Sequence, residues 1–150
     1  MKKRSTLIMM VVTLAVALLT IGACQKGLFN TRQDLNSHLG TWKAVSYKYG
    51  TTSSSFIDFP PSQLHIKVIT PSQYIWVSVD TLTKRVYEVG GGRYTLDGNT
   101  YVEQTDFSLG NDGLRGQKHT FTIKVEGDMF FQSGQLSSGL KIEEIWQRME

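Results

Sequence analysis

The chain has 150 residues, 40% of them hydrophobic and 19% charged, with 16 Lys+Arg against 13 Asp+Glu. That is length for one domain with one core, and a single cysteine leaves no disulfide framework. Three of the 16 basic residues, Lys2, Lys3 and Arg4, stand at the extreme N-terminus; without them acids and bases balance, and nucleic-acid binding loses its electrostatic footing.

Those three residues precede an apolar run over 7–21, broken only by Thr13 and Thr20 and too short to span a bilayer comfortably. The run ends in Ile21-Gly22-Ala23-Cys24, and this order of basic, apolar and small residues before a lone Cys resembles the bacterial lipoprotein signal box. The resemblance implies a signal peptide over 1–23, a lipid such as palmitate on Cys24, a lipidated tether over 24–31 and a folded domain over 32–150. A buried free thiol is the alternative for Cys24, but a hydrophilic stretch follows at once. Fully extended, the tether reaches roughly 25 Å, which keeps the domain close to the membrane. Gln25 is not the Asp that retains such proteins at the inner membrane, so an outer-membrane location in the cell envelope is expected, with the periplasmic or surface face left open.

Thr31-x-x-Asp34 is a capping-box pattern ahead of Leu35 and Leu39, which predicts a short helix over 32–37. Gly40-Thr41-Trp42 then opens the first strand, where an indole is well placed to plug one end of a closed sheet. Segment 41–49 alternates Val45, Tyr47 and Tyr49 against Ala44, Ser46 and Lys48, and 63–70 alternates Leu64, Ile66 and Val68 against His65 and Lys67, which puts His65 on the outer face. Further strands are predicted over 73–80, 84–89, 93–96, 101–107, 118–125, 129–133 and 141–149. Turn residues separate them, among them Pro71-Ser72, Gly90-Gly91-Gly92, Asp97-Gly98-Asn99, Glu126-Gly127-Asp128 and Ser137-Ser138-Gly139. About nine short antiparallel strands with no helix between them predict an all-β fold, an up-and-down barrel of about eight to ten strands. The glycine triplet is read as a bulged hairpin rather than a phosphate cradle, because no helix follows it. The loop over 50–62 carries Phe56 and Phe59 before Pro60-Pro61. It is either a flap over an open barrel end or a loop packed on its own side chains.

Segment 39–46, Leu-Gly-Thr-Trp-Lys-Ala-Val-Ser, resembles the first strand of the lipocalin and fatty-acid-binding protein group, the calycins. Segment 125–131 resembles that group's penultimate hairpin and 144–148 its last strand, so the likeness spans the mature domain. The chain is also similar to small lipocalin-like lipoproteins of gut-type Gram-negative bacteria. The resemblance implies that Arg148 packs over the Trp42 ring, with Gly40 beside it, and latches the first strand to the last. It departs from fatty-acid binders in three ways. Glu144 and Thr122 fall at their carboxylate-binding Arg positions, Trp146 falls at a ligand-contacting Tyr, and their helical lid is missing. Free fatty acids are therefore not the expected cargo.

With Trp146 and Arg148 inward, period two carries Glu144 and Ile142 inward as well. The same phasing groups Tyr101, Glu103 and Phe107, then Phe121 and Ile123, then Tyr74, Trp76 and Ser78. Trp76, Tyr101, Glu103, Phe121, Glu144 and Trp146 are accordingly the candidate ligand-binding residues, although side chains could equally fill so narrow a barrel. Catalysis is not expected: Glu103 and Glu144 are two inward carboxylates, but no nucleophile and base stand at recognisable spacing. No metal or cofactor is expected, since His38, His65 and His119 are scattered. The expected function is a lipid-anchored, non-catalytic envelope protein that binds a small, largely apolar ligand. Its alternatives are a filled barrel that docks on a protein or membrane partner through 56–61, and an envelope enzyme using Glu103 and Glu144.

Overall fold

Alternating side chains between turn residues yield nine strands in the computed structural model, which describes residues 37–51 and 55–149. They are β1 (Gly40–Tyr49), β2 (Ile57–Asp58), β3 (Gln63–Ile69), β4 (Gln73–Asp80), β5 (Arg85–Asp97), β6 (Thr100–Leu109), β7 (Lys118–Glu126), β8 (Met129–Gln135) and β9 (Lys141–Arg148). β1 pairs with β3, the strands from β3 to β9 follow in chain order, and β9 returns to β1 from Trp42↔Arg148 to Tyr49↔Ile142. All pairings are antiparallel, and the two-residue β2 clips onto β1 outside the circuit, so the barrel closes on eight strands. Closure leaves none of the eight barrel strands as a terminal edge strand. Gly98 (φ 60°) and Gly127 (φ 56°) each take the first position of a two-residue hairpin loop, a conformation that a side chain would resist. The signal sequence, Cys24 with its tether, and the helix expected over 32–37, apart from Ser37 in a turn, lie outside the described residues.

One end of the barrel is sealed around Trp42. Its ring is wholly buried, its Nε1 donates to the His38 carbonyl at 2.9 Å, and Phe130 packs with ring centroids 5.3 Å apart. The Arg148 guanidinium lies 4.0 Å from the centre of the indole and donates to the Leu39 and Ser37 carbonyls at 2.8 and 2.6 Å. A single side chain thus joins the last strand, the first strand and the segment that leads into it.

Three bulges set which residues face inward, and they correct the phasing expected from strict alternation. On β1, Ala44 opposes Trp146 while Ser46 opposes Ile145, so Val45 is an extra residue. It lets Trp42 and Ala44 share the interior with Tyr47 and Tyr49. On β5, Tyr87 is extra and Glu88 turns inward opposite Ser78. On β6, Gly91 opposes Phe107 and Gly92 opposes Thr105, which makes Asp106 the extra residue. Phe107 is therefore 48% exposed on the outer face and does not join Tyr101 and Glu103 inside.

Two further expectations are corrected. The glycine triplet is not a turn: it lies inside β5 and fuses two of the predicted strands into one of 13 residues. A methyl group at Gly90 would run into the Trp76 indole on the opposing β4, so the glycine gives that ring its place inside the barrel. On β3 the apolar set is the outer one: Leu64, Ile66 and Val68 pair across with Val79, Val77 and Ile75. His65, Lys67 and Ile69 point inward, and Lys67 is only 4% exposed.

Candidate functional site

Halfway along the barrel, the Lys67 side chain crosses from β3 to the opposite wall. Its Nζ donates to Glu103 Oε1 at 2.9 Å and Gln132 Oε1 at 2.8 Å, and lies 5.1 Å from the centre of the Trp146 ring. The ammonium and both acceptors are buried, so this polar plate is internally satisfied. Towards the Trp42 end buried side chains pack together, with Tyr101 packed on Tyr94 and Tyr74 hydrogen-bonded to Thr105 at 3.0 Å.

On the other side of the plate the barrel is hollow. A cavity of about 380 Å³ is walled by Trp76, Trp146, Phe121, Tyr47 and Tyr49, and Leu114, Leu136 and Leu140 reach it from connecting loops. Phe59 closes over one side, with its ring 4.6 Å from that of Tyr47 and 4.3 Å from that of His65. The loop over 50–62 therefore serves as a flap in its Phe59 half. Its Phe56 and Ile57 are turned to solvent. A depression of about 460 Å³ on the outer face runs past Arg93, Gln104 and Lys118. Exposed polar side chains make up most of its wall, which makes the interior cavity the better candidate site.

One basic and three acidic side chains border the cavity beside its tyrosines and histidines: Lys67, Glu88, Glu103 and Glu144. Glu144 accepts from the Tyr49 hydroxyl at 2.5 Å on one oxygen and from Trp146 Nε1 at 3.2 Å on the other. Burial pushes its carboxyl above the usual carboxylate range and Glu103 adds to the rise, while the Lys67 ammonium and the two donors oppose it. The Tyr49 hydroxyl is pushed far up by burial and then by the charge of Glu144, so it remains a proton donor. Burial lowers both His65 and His119, and the two rings are neutral at neutral pH. His119 Nδ1 accepts the Ser137 N–H at 3.3 Å, which assigns the ring proton to Nε2. That Nε2, on a residue 3% exposed, has no hydrogen-bond partner; the other such buried atom among the described residues is the Tyr101 hydroxyl.

Of the six residues that phasing places at a ligand site, Trp76, Glu103, Phe121, Glu144 and Trp146 line the cavity together. Tyr101 does not: it is wholly buried, packed against Tyr94. Lys67, Tyr47, Tyr49, Glu88, His119 and Gln132 join the lining without having been singled out from sequence. The aromatic run of β1 and the lysine among apolar residues on β3 were visible signals, but their direction depended on the bulges. Thr122 is exposed and Glu144 borders the cavity, so the described residues do not form a paired-arginine clamp for a carboxylate. No group of three or more potential metal ligands occurs among the described residues.

No protein-family model and no curated protein matches the sequence. Among solved structures, the chain is similar to a lipocalin-like protein from Bacteroides uniformis, with a TM-score of 0.54 and 15% identity over 75% of this chain and 99% of that one. It is also similar to an uncharacterized protein from Bacteroides eggerthii, with a TM-score of 0.51 and 12% identity over 73% of this chain and 98% of that one. At these identities the likeness shows the fold, which is lipocalin-like.

Proposed function

We propose that this lipocalin-like barrel is a non-catalytic binding protein for a small molecule, held at the cell envelope by a lipid on Cys24. The observation that carries the reading is the cavity of about 380 Å³, which has the size and mixed lining of a small-ligand site. It has aromatic walls, a few converging polar groups and a satisfied polar floor. Such a void also runs against a filled barrel that acts only by docking. The absence of catalysis is supported by the state of the two carboxylates. Glu103 is engaged by Lys67, and Glu144 by Tyr49 and Trp146, so neither is poised as a free base beside a nucleophile. The envelope location rests on the order of residues up to Cys24, and an outer-membrane anchor follows from Gln25.

Native mass spectrometry of the mature chain purified from its host envelope tests both parts. A stoichiometric small-molecule adduct that is lost on unfolding, on a chain whose N-terminal Cys24 carries acyl groups, is the expected result. An unmodified Cys24 in the host would overturn the anchor. A chain that retains nothing and gains no mass from a host small-molecule extract would overturn the binding reading.

A further inference from the structure

The cavity's charges do not cancel, and this narrows what can fill it. Three carboxylates, on Glu88, Glu103 and Glu144, border it against one ammonium, and that ammonium is committed to Glu103 and Gln132. The histidines facing the same space are neutral and add no positive charge. An anionic ligand would find Lys67 already spent and would face the remaining carboxylates. A neutral apolar ligand would supply no counter-charge to the acids that Lys67 does not engage, leaving Glu144 to hold its proton under burial. A cation would supply the counter-charge that the acids not engaged by Lys67 lack. Glu144 accepts from the Tyr49 hydroxyl, and both it and Glu88 border the cavity. Aromatic faces suited to an ammonium's substituents stand on the same strands: Tyr47 on β1, Trp76 on β4 and Trp146 on β9.

A second observation points independently to an occupant. His119 borders the cavity, is nine-tenths or more buried, and its Nε2–H donates to nothing. A buried donor of this kind costs free energy unless something in the cavity accepts from it.

We propose that the cavity binds a small organic amine in its protonated form, its ammonium beside Glu144 and Glu88, its apolar body among the indoles of Trp76 and Trp146, and an acceptor atom within reach of His119 Nε2. This rests on the reading of the barrel as a small-molecule binder and names the chemical class of its ligand.

Three probes of one skeleton separate the two claims: phenylbutylamine, phenylbutanol and phenylbutanoate, each titrated calorimetrically into the mature chain at neutral pH. The amine is expected to bind about tenfold or more tightly than the alcohol, and the acid most weakly. In the Glu144→Gln variant the preference for the amine over the alcohol should fall to within about twofold. If the alcohol or the acid binds as tightly as the amine, the barrel is a binder but not of cations, and the proposal alone fails. If none of the three binds at millimolar concentration, the proposal and the binding reading fail together. The comparison within the unaltered chain stands even if Glu144→Gln fails to fold.

Discussion

Replacing Lys67 with Met tests whether the polar plate is one unit across the barrel. Methionine keeps most of the volume and removes the charge, leaving Glu103 without its ammonium. The two side chains are 5% and 7% exposed and their charged atoms 2.9 Å apart. At an effective dielectric constant of about 20, the gross attraction at that distance is on the order of 6 kcal/mol, offset in part by the desolvation of both groups. Removing one partner forfeits the attraction but not the remaining desolvation, so Lys67→Met should cost about 3–5 kcal/mol at neutral pH. Neutralising both sides in Lys67→Met/Glu103→Gln should cost clearly less than the single change. Equilibrium urea unfolding followed by tryptophan fluorescence reads both values, provided the denaturant slope is unchanged. A Lys67→Met cost below about 1 kcal/mol, or a double variant as unstable as the sum of its parts, would refute the reasoning.

Arg148→Ala removes the ring contact with Trp42 and two charge-assisted hydrogen bonds, so a loss of about 2–3 kcal/mol is expected in urea unfolding, of which Arg148→Lys should restore less than half. Gly90→Ala drives a methyl group into the Trp76 indole and should push that ring into the cavity. The expected readouts are an altered near-ultraviolet dichroism signal, a stability loss of about 1–3 kcal/mol and weaker ligand binding. Glu144 makes stability depend on pH in a defined direction. Burial raises its folded-state pKa above the ordinary 4.5, so the folded chain holds the proton more tightly than the unfolded one. No penalty exists below about pH 4.5; a penalty accumulates as pH rises from there through the raised value. Glu144→Gln lacks it, and the stability of the unaltered chain relative to this variant should decline with rising pH across that window, measured as paired unfolding midpoints.

The barrel was legible because its determinants are local. Turn residues at Asp97-Gly98 and Glu126-Gly127 fix hairpins by their own geometry, and alternation in β4, β7 and β9 carries their phase without interruption. The contact between Trp42 and Arg148 follows from a strand register that places them opposite one another. The site was only partly legible, because a bulge inverts the phase of everything beyond it and leaves little mark in sequence. Val45, Tyr87 and Asp106 are ordinary strand residues, yet they decide that Tyr49 and Glu88 face in and Phe107 faces out. Lys67 was hidden for another reason. A charged residue alternating with Leu64, Ile66 and Val68 reads as the solvent face of a strand, and only long-range partners at Glu103 and Gln132 turn it into an interior group. The glycine triplet misleads in the same way: its role is set by the Trp76 indole on the neighbouring strand.

Three tryptophans report on three places in the barrel, and their indole N–H resonances offer the most direct measurement of where a ligand sits. Trp42 lies in the sealed end, bonded to the His38 carbonyl, while Trp76 and Trp146 border the cavity beyond the Lys67 plate. In proton–nitrogen correlation spectra of the protein, whichever of the three phenylbutyl probes binds most tightly should shift the Trp76 and Trp146 indole signals and leave that of Trp42 in place. Movement of the Trp42 signal without the other two, or no movement of any at saturating probe, would contradict an interior site.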